Sequence, residues 1–371
     1  IDGRSLQGNR RGMGVYTLSL LEAMSRQRHG HQITLLLDRS LPALPAAPGN
    51  FDTQYLGCPG GAVLWEQVCL PLAARKFDLL HAPANGCPVA TACPVVLTLH
   101  DVIFMRRWRD ISAVAYPRQV AGHLYRTWVH PAAARHAREV LTVSEASKQE
   151  IQEILGLSPD RITVTHEALP ESFRRCEPVS QDTVRSTFDL QEPYLMAMGA
   201  YEKRKNIPLL FRVMEWLSSN RKSCPQLVLA GAENLAATRY LSEVKQRQVE
   251  SLVKFLPYVG EPELKGLYHG ATAFLWPSRK EGFGLPLLEA MSCATPVIAS
   301  DIPVHREVAG EAAIFVLPDD EVGWRNAVVR ILEDETLRRE LRQRGLEQVA
   351  KFSWNRTAEQ TLAVYERVHV R

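Results

Sequence analysis

No stretch of this sequence is apolar for long enough to cross a bilayer. The nearest run, "CPVATACPVVLTL", falls short of the roughly 18 residues a membrane helix needs and is interrupted by prolines, so it is expected to form a buried strand. Cysteine is also sparse. The seven cysteines (Cys58, Cys69, Cys87, Cys93, Cys176, Cys224 and Cys293) are odd in number, scattered and never spaced C-x-x-C, which argues against a disulfide framework or a structural zinc site and for a reducing cytoplasm. No signal peptide is visible, and the chain begins at Ile1 rather than Met, so residues are expected to precede it. The sequon Asn355-Arg356-Thr357 then carries little meaning. With a net charge of +3, 23% charged and 46% hydrophobic residues, the chain lacks the bias of a disordered chain or a fibre, and that modest charge disfavours a nucleic-acid partner. It has no G-x-x-x-x-G-K-[ST], G-x-S-x-G, H-E-x-x-H or EF-hand loop, which argues against the commoner kinase-like, serine-hydrolase and zinc-protease chemistries. Nor does a D-x-D lie between apolar strands, so a divalent-metal grip on a nucleotide diphosphate is not expected.

What is present is a rhythm. At 371 residues the chain exceeds one ordinary domain, and short β-branched runs alternate with amphipathic helical stretches, the pattern of βα units and parallel sheets. "HQITLLLD", "FDLLHA", "PVVLTLHD", "EVLTVS" and "RITVTH" read as strands in the first half. "GVYTLSLLEAMSRQ" and "SEASKQEIQEILG" read as helices, the second with Ser144 or Ser147 as N-cap. From 176 to 192 the strand pattern lapses, as in an inter-domain passage. It resumes with "PYLMAMGA", "PQLVLAG", "LVKFLPYVG", "TAFLWPS", "TPVIASD" and "AAIFVLP", and the tail from Asp334 reads as helical throughout. The expectation is an α/β protein of two doubly wound, Rossmann-like domains: residues 1–180, residues 181–352, and a last helix over 353–371. Ligands in such sheets bind beyond the carboxyl ends of the strands, and two facing domains would leave a cleft there.

The loops that follow strands carry the chemistry. "SRKEGFGLPLLEAMSCAT" sets Glu281 and Glu289 eight residues apart around a Gly-Phe-Gly-Leu-Pro turn. Pro286 suits the first turn of a helix, Gly282 and Gly284 allow close backbone approach, and the free N–H groups of that turn attract an anion such as a diphosphate. Carboxylates accept hydrogen bonds from hydroxyl pairs, which a nucleotide sugar supplies on either side of its diphosphate. The plainer reading leaves Glu289 complementing the helix dipole and Glu281 a solvated loop charge. "MAMGAYEKRKNIPLL" places Arg204 and Lys205 beyond an apolar strand, where two cations can neutralise a leaving diphosphate. Gly12-x-Gly14 precedes a helix, but Thr17 occupies the third glycine position of G-x-G-x-x-G, which disfavours a dehydrogenase. "VVLTLHDVIF" ends a strand at His100 and Asp101; a histidine there is structural more often than catalytic.

Taken together these residues resemble the retaining glycosyltransferases of family 4, of the two-domain GT-B fold. The likeness spans nearly the whole chain and is strongest from about 194 to 320. Glu281 to Glu289 matches that family's E-x7-E signature, continued in "IPVHREVAGEAAIFVLPDD" where Glu307 and Gly310 match. The resemblance implies that Glu289 holds the ribose hydroxyls, that Glu281 contacts the donor sugar, and that the amides from Phe283 through Gly284 to Leu285 meet the phosphates. It also puts Gly199, Arg204 and Lys205 on the diphosphate, within Gly-x-x-x-x-Arg-Lys-Asn. Ala200 stands where many members have a further arginine, which throws the grip onto Arg204 and Lys205. Gly12 and Gly14 would face the donor phosphates and His100 the reacting sugar. The implied activity is transfer of a hexosyl group, mannose from GDP-mannose or glucose from UDP-glucose, to a saccharide or lipid-linked acceptor in surface-polysaccharide synthesis. It would use the nucleotide sugar as co-substrate, no cofactor and no metal. An epimerase or hydrolase on the same fold, and an inactive sugar-nucleotide-binding partner, are the alternatives.

Between Phe104 and Arg138 seven arginines (Arg106, Arg107, Arg109, Arg118, Arg126, Arg135 and Arg138) meet only Asp110, with Phe104, Trp108, Tyr116, Tyr125 and Trp128 interleaved. That mixture suits an anionic, partly apolar surface, such as the cytoplasmic face of a membrane carrying a lipid-linked acceptor. A solvated helical face over core aromatics fits equally well.

Overall fold

A computed structural model describes residues 1–8, 12–44, 48–49, 51–58, 60–105, 117–198, 202–232 and 235–369. Among these, one unit comprises the residues up to Glu171 together with those from Phe352 onward, and a second runs Ser172–Lys351.

The first unit is built on short strands that pair in parallel. β1 (Thr34–Asp38) pairs with β2 (Asp52–Leu56), and a four-stranded sheet has the order β3 (Leu80–Ala82), β4 (Val95–Thr98), β5 (Glu139–Thr142), β6 (Ile162–Val164). The N-terminus links the two sheets: Asp2 bridges to Leu36 of β1 while its N–H donates to the His81 carbonyl of β3 at 2.9 Å. Every residue of β3, β4 and β5 is buried, as expected of strands covered on both faces. Ser144 caps the helix Glu145–Leu155, its hydroxyl accepting from the Ser147 N–H at 3.0 Å, and Gly156 ends it in the left-handed region at φ +66°. The helix Trp354–His369 belongs to this unit. Tyr365 Oη lies 2.5 Å from His81 Nδ1, the Thr357 hydroxyl donates to the His166 carbonyl at 2.5 Å, and Trp354 packs edge-on against Tyr16.

The second unit is a six-stranded parallel sheet of order β12 (Ala313–Val316), β11 (Val297–Ser300), β10 (Ala273–Trp276), β7 (Tyr194–Met198), β8 (Gln226–Ala230), β9 (Val253–Phe255). From β7 the chain proceeds outward to one edge, then returns to β10 and proceeds to the other. The β7/β10 pair is therefore the switch point, where such sheets open a crevice beyond their carboxyl ends.

Four expectations need correction. The strand β2 was not anticipated, because "DTQYL" is exposed or half-buried and polar. The passage 176–192 contains a helix, Gln181–Phe188, capped by the Ser180 hydroxyl, and the chain enters the second unit at Ser172 rather than at 181. The tail is interrupted between the helices Glu335–Val349 and Trp354–His369, where Phe352 is buried. Cys58 and Cys69, eleven residues apart, are joined by a disulfide that their spacing did not suggest. No helix among the described residues is long and apolar enough to cross a membrane.

Candidate functional site

At the switch point of the second unit, two strand-end loops bring charged groups together. The turn Lys203–Lys205 stands beyond β7, and the loop beyond β10 leads through Glu281 into the helix Leu285–Ser292. Glu281 Oε1 accepts from Lys205 Nζ at 2.8 Å and Oε2 from Arg204 Nη1 at 2.6 Å, with only 9% of the glutamate side chain exposed. Burial by itself raises a carboxyl, but the two cations here override it and hold Glu281 at about 2, permanently ionised. Burial also lowers the Lys205 ammonium, and the repulsion of Arg204 adds to it, against the opposing pull of Glu281. Its Nζ lies 4.2 Å from the centre of the Trp276 ring, which adds an attraction and fixes the side chain. Arg204 also pairs through Nε with Glu202 at 2.5 Å, so two carboxylates face two cations in this cluster. Asn206, in the left-handed region at φ +55°, donates to the Pro318 carbonyl at 2.8 Å and anchors the turn.

Glu289 occupies the middle of the helix Leu285–Ser292, which Gly284 opens in the left-handed region at φ +104°. It is partly buried and, among the described residues, pairs with no lysine or arginine. Tyr268 donates to its Oε2 at 3.0 Å, and burial pushes the carboxyl up to about 7 against that bond. Phe283 turns its ring inward, and Leu285 begins the helix. Gly199 lies outside the described residues.

The first unit presents His100 at the end of β4. Its Nδ1 is 3.0 Å from Glu167 Oε1 and its Nε2 3.0 Å from the Pro83 carbonyl. Both neighbours are acceptors, so both nitrogens donate when the ring is a cation. Burial opposes that charge, while the Glu167 carboxylate raises the imidazole above its ordinary value. With both ring nitrogens engaged, this strand end offers no free base. Gly12 caps the helix Met13–Ser25 at φ +33°, and Gly14 lies buried in its first turn. Two residues on, Tyr16 meets the His100 ring edge-on at 4.5 Å.

The raised value has a definite sign: the charge of His100 contributes stability fully below the unfolded value of 6.5 and loses it as pH rises through the folded one. Nitrogen-15 NMR of the imidazole should show the wild type titrating above the ordinary histidine value and a lower titration in Glu167→Gln. An unchanged titration in that variant would disprove the pairing.

The structure thus gathers Glu281, Arg204 and Lys205 into one cluster, sets Glu289 on the helix that follows, and places His100, Gly12 and Gly14 in the other unit. Sequence reading missed Glu167, Tyr268 and Trp276, which carry no local motif. Of the basic and aromatic stretch, Phe104 and Tyr125 pack against His130, whereas Trp128 is 76% exposed. Arg106, Arg107, Trp108, Arg109 and Tyr116 lie outside the described residues.

Residues 180–348 match the sequence profile of the glycosyl transferases group 1, and residues 10–171 that of glycosyltransferase family 4. The O-antigen chain mannosyltransferase B of Escherichia coli is 33% identical over 235 residues, 62% of this chain and 61% of that one. The O-antigen chain mannosyltransferase RfbU of Salmonella typhimurium is 31% identical over 242 residues, 64% of each. The alignments thus span about three fifths of these relatives' length. Among solved structures, sucrose-phosphate synthase from Thermosynechococcus elongatus superimposes with a TM-score of 0.73 at 21% identity, over 97% of this chain and 94% of that one. Anabaena Alr3699/HepE, solved with UDP and glucose, gives 0.71 at 15% identity over 97% of both.

Proposed function

Because this chain belongs to the family 4 glycosyltransferases, with their GT-B fold, we propose that it transfers a hexosyl group from a nucleotide sugar to a saccharide hydroxyl with retention at the anomeric carbon. The observation that carries this reading is the pairing, around one turn, of an ionised cluster (Glu281, Lys205, Arg204) with a carboxylate, Glu289, that among the described residues accepts from a tyrosine hydroxyl and pairs with no cation. The cluster suits the diphosphate and the reacting sugar; Glu289 suits the ribose diol.

In the reaction proposed, the bond from the anomeric carbon to the diphosphate oxygen breaks through an oxocarbenium-like state. The acceptor oxygen bonds to that carbon on the same face, and its proton passes to the departing diphosphate. Lys205 and Arg204 stabilise the charge that develops there, already oriented by Glu281 and Trp276, so little reorganisation is needed at the moment of reaction. Glu281, with both oxygens engaged, stays ionised and can stabilise the positively charged sugar.

The O-antigen mannosyltransferase relatives favour mannose, from GDP-mannose, in surface-polysaccharide synthesis, with glucose from UDP-glucose next. A thermal-shift panel of nucleotide sugars, followed by product analysis with and without a mannoside acceptor, tests this. Stabilisation by none of them, and no release of free nucleotide, would sink the reading.

We also place the reaction at the cytoplasmic face of a membrane with a lipid-linked acceptor. Trp128 and Leu124 stand exposed one turn apart on the basic helix Pro117–His136. Tyr125 of that helix reaches Glu66 and Gln67, on a neighbouring helical stretch that exposes Leu64, Val68 and Leu72. Trp128→Ser, and Gln in place of Arg106, Arg107 and Arg109, should reduce sedimentation with anionic liposomes. Wild-type protein that ignores such liposomes at low salt would point to a soluble acceptor.

A further inference from the structure

We infer that Glu66 of the first unit forms, with His130 and the backbone at Gly86, a subsite for the uncharged hydroxyls of the acceptor saccharide. The inference rests on the glycosyl-transfer reading and adds a position that the signature motifs do not mark.

Glu66 lies in a π-helical turn, Trp65–Cys69, between the helical segments Gly61–Leu64 and Leu70–Ala74. A π-turn inserts one residue into the helical ladder, and such insertions recur at functional sites. Here it turns Glu66 and Gln67 together toward the loop between β3 and β4. Gln67 Nε2 donates to the Cys87 carbonyl at 3.2 Å, and Gln67 Oε1 accepts from the Val89 N–H at 3.0 Å. The same loop supplies Asn85 Oδ1 to the His100 N–H at 2.7 Å and the Pro83 carbonyl to His100 Nε2. One loop thus joins Glu66 to the strand end that carries His100.

The Glu66 carboxylate is 18% exposed and has no lysine or arginine as a partner among the described residues. Glu281, Glu139 and Asp38 each have such a cation. Glu66 instead accepts one bond at Oε2, from the Tyr125 hydroxyl at 2.8 Å, as Glu289 does from Tyr268. Its Oε1 lies over Gly86, where a Cβ would approach to 2.8 Å. His130, only 5% exposed, points Nε2 at Glu66 Oε2 from 3.6 Å, beyond hydrogen-bond length, and neither of its ring nitrogens has a hydrogen-bond partner among the described residues. The Glu66 carboxylate, whose Oε1 accepts no hydrogen bond among the described residues, and the unpaired His130 imidazole on its Oε2 side are together complementary to hydroxyl groups, which both donate and accept. The negative charge works against a phosphate and favours a neutral sugar ring.

The test measures binding of methyl α-mannopyranoside by saturation-transfer NMR, and the acceptor KM of the same mannoside in donor turnover. Glu66→Gln keeps an acceptor for the Tyr125 hydroxyl, and Gly86→Ala sets a methyl against Oε1 at a backbone conformation alanine can adopt. Both should raise the mannoside Kd and the acceptor KM about tenfold and leave the donor KM unmoved, with melting temperatures checked for each. Wild-type mannoside affinity in both variants would overturn the subsite and leave the transferase reading standing. Turnover absent from the wild type while mannoside binding still depends on Glu66 would overturn the transferase reading instead. Parallel loss of donor and acceptor affinity would mark Glu66 as a structural brace and also overturn the proposal.

Discussion

Lys205→Met is expected to lower kcat by roughly 10² to 10³, the effect of removing one preorganised charge from the place where a transition state becomes negative. The methionine keeps an aliphatic stem against Trp276, and Glu281 retains Arg204 at 2.6 Å, so no carboxylate is left alone in the interior. Folding should therefore survive, and the loss should appear in turnover more than in donor affinity. Lys205→Glu is the harsher change, because it would press a second carboxylate against Glu281 without relieving either. Chelation should do far less than either substitution. The positive charge needed at the diphosphate is already supplied by Arg204, Lys205 and the N–H groups at the start of the helix Leu285–Ser292, so saturating EDTA is expected to leave the rate within about twofold. Turnover in Lys205→Met equal to wild type, or complete dependence on added Mg²⁺ or Mn²⁺, would refute this account of the leaving-group charge.

The strands at the core of both units could be read from the sequence because parallel strands covered on both faces are largely apolar. Val95 to Leu97, and Val297 to Ala299, have no polar residue to disguise them. The strand Asp52–Leu56 sits partly in water at an edge, so its sequence is under no such constraint. Glu281 and Glu289 were legible for a different reason: glycines and a proline hold them at fixed offsets on one continuous loop and helix. The partners of Glu289 and His100 were not. Tyr268 precedes Glu289 by 21 residues and Glu167 follows His100 by 67, and only the fold brings them within hydrogen-bond distance. The same separation hid the state of each group. Two acceptors around His100 engage both of its ring nitrogens, and two cations around Glu281 engage both of its oxygens.

Glu289→Ala should weaken donor binding by roughly 1.5 to 3 kcal/mol, about 10- to 150-fold, the contribution of a hydrogen bond to a charged acceptor. The argument turns on ionisation. Without ligand, burial holds the Glu289 carboxyl at about 7, so near neutrality a large fraction carries a proton. A ribose diol donates hydrogen bonds, which a carboxylate accepts better than a carboxylic acid does, so binding should favour the ionised form and expel the proton. Donor affinity should accordingly rise as pH increases from 6 to 8. Calorimetry at pH 7 in two buffers of different ionisation enthalpy should register proton release, and both effects should vanish in Glu289→Gln, which keeps the volume and the Tyr268 bond but cannot ionise. An intact nucleotide sugar is the right probe, since its diphosphate is fully ionised across that range and adds no titration of its own. Donor affinity independent of pH in the wild type, or undiminished in Glu289→Ala, would remove Glu289 from the ribose and return it to the role of an ordinary helix residue beside Tyr268.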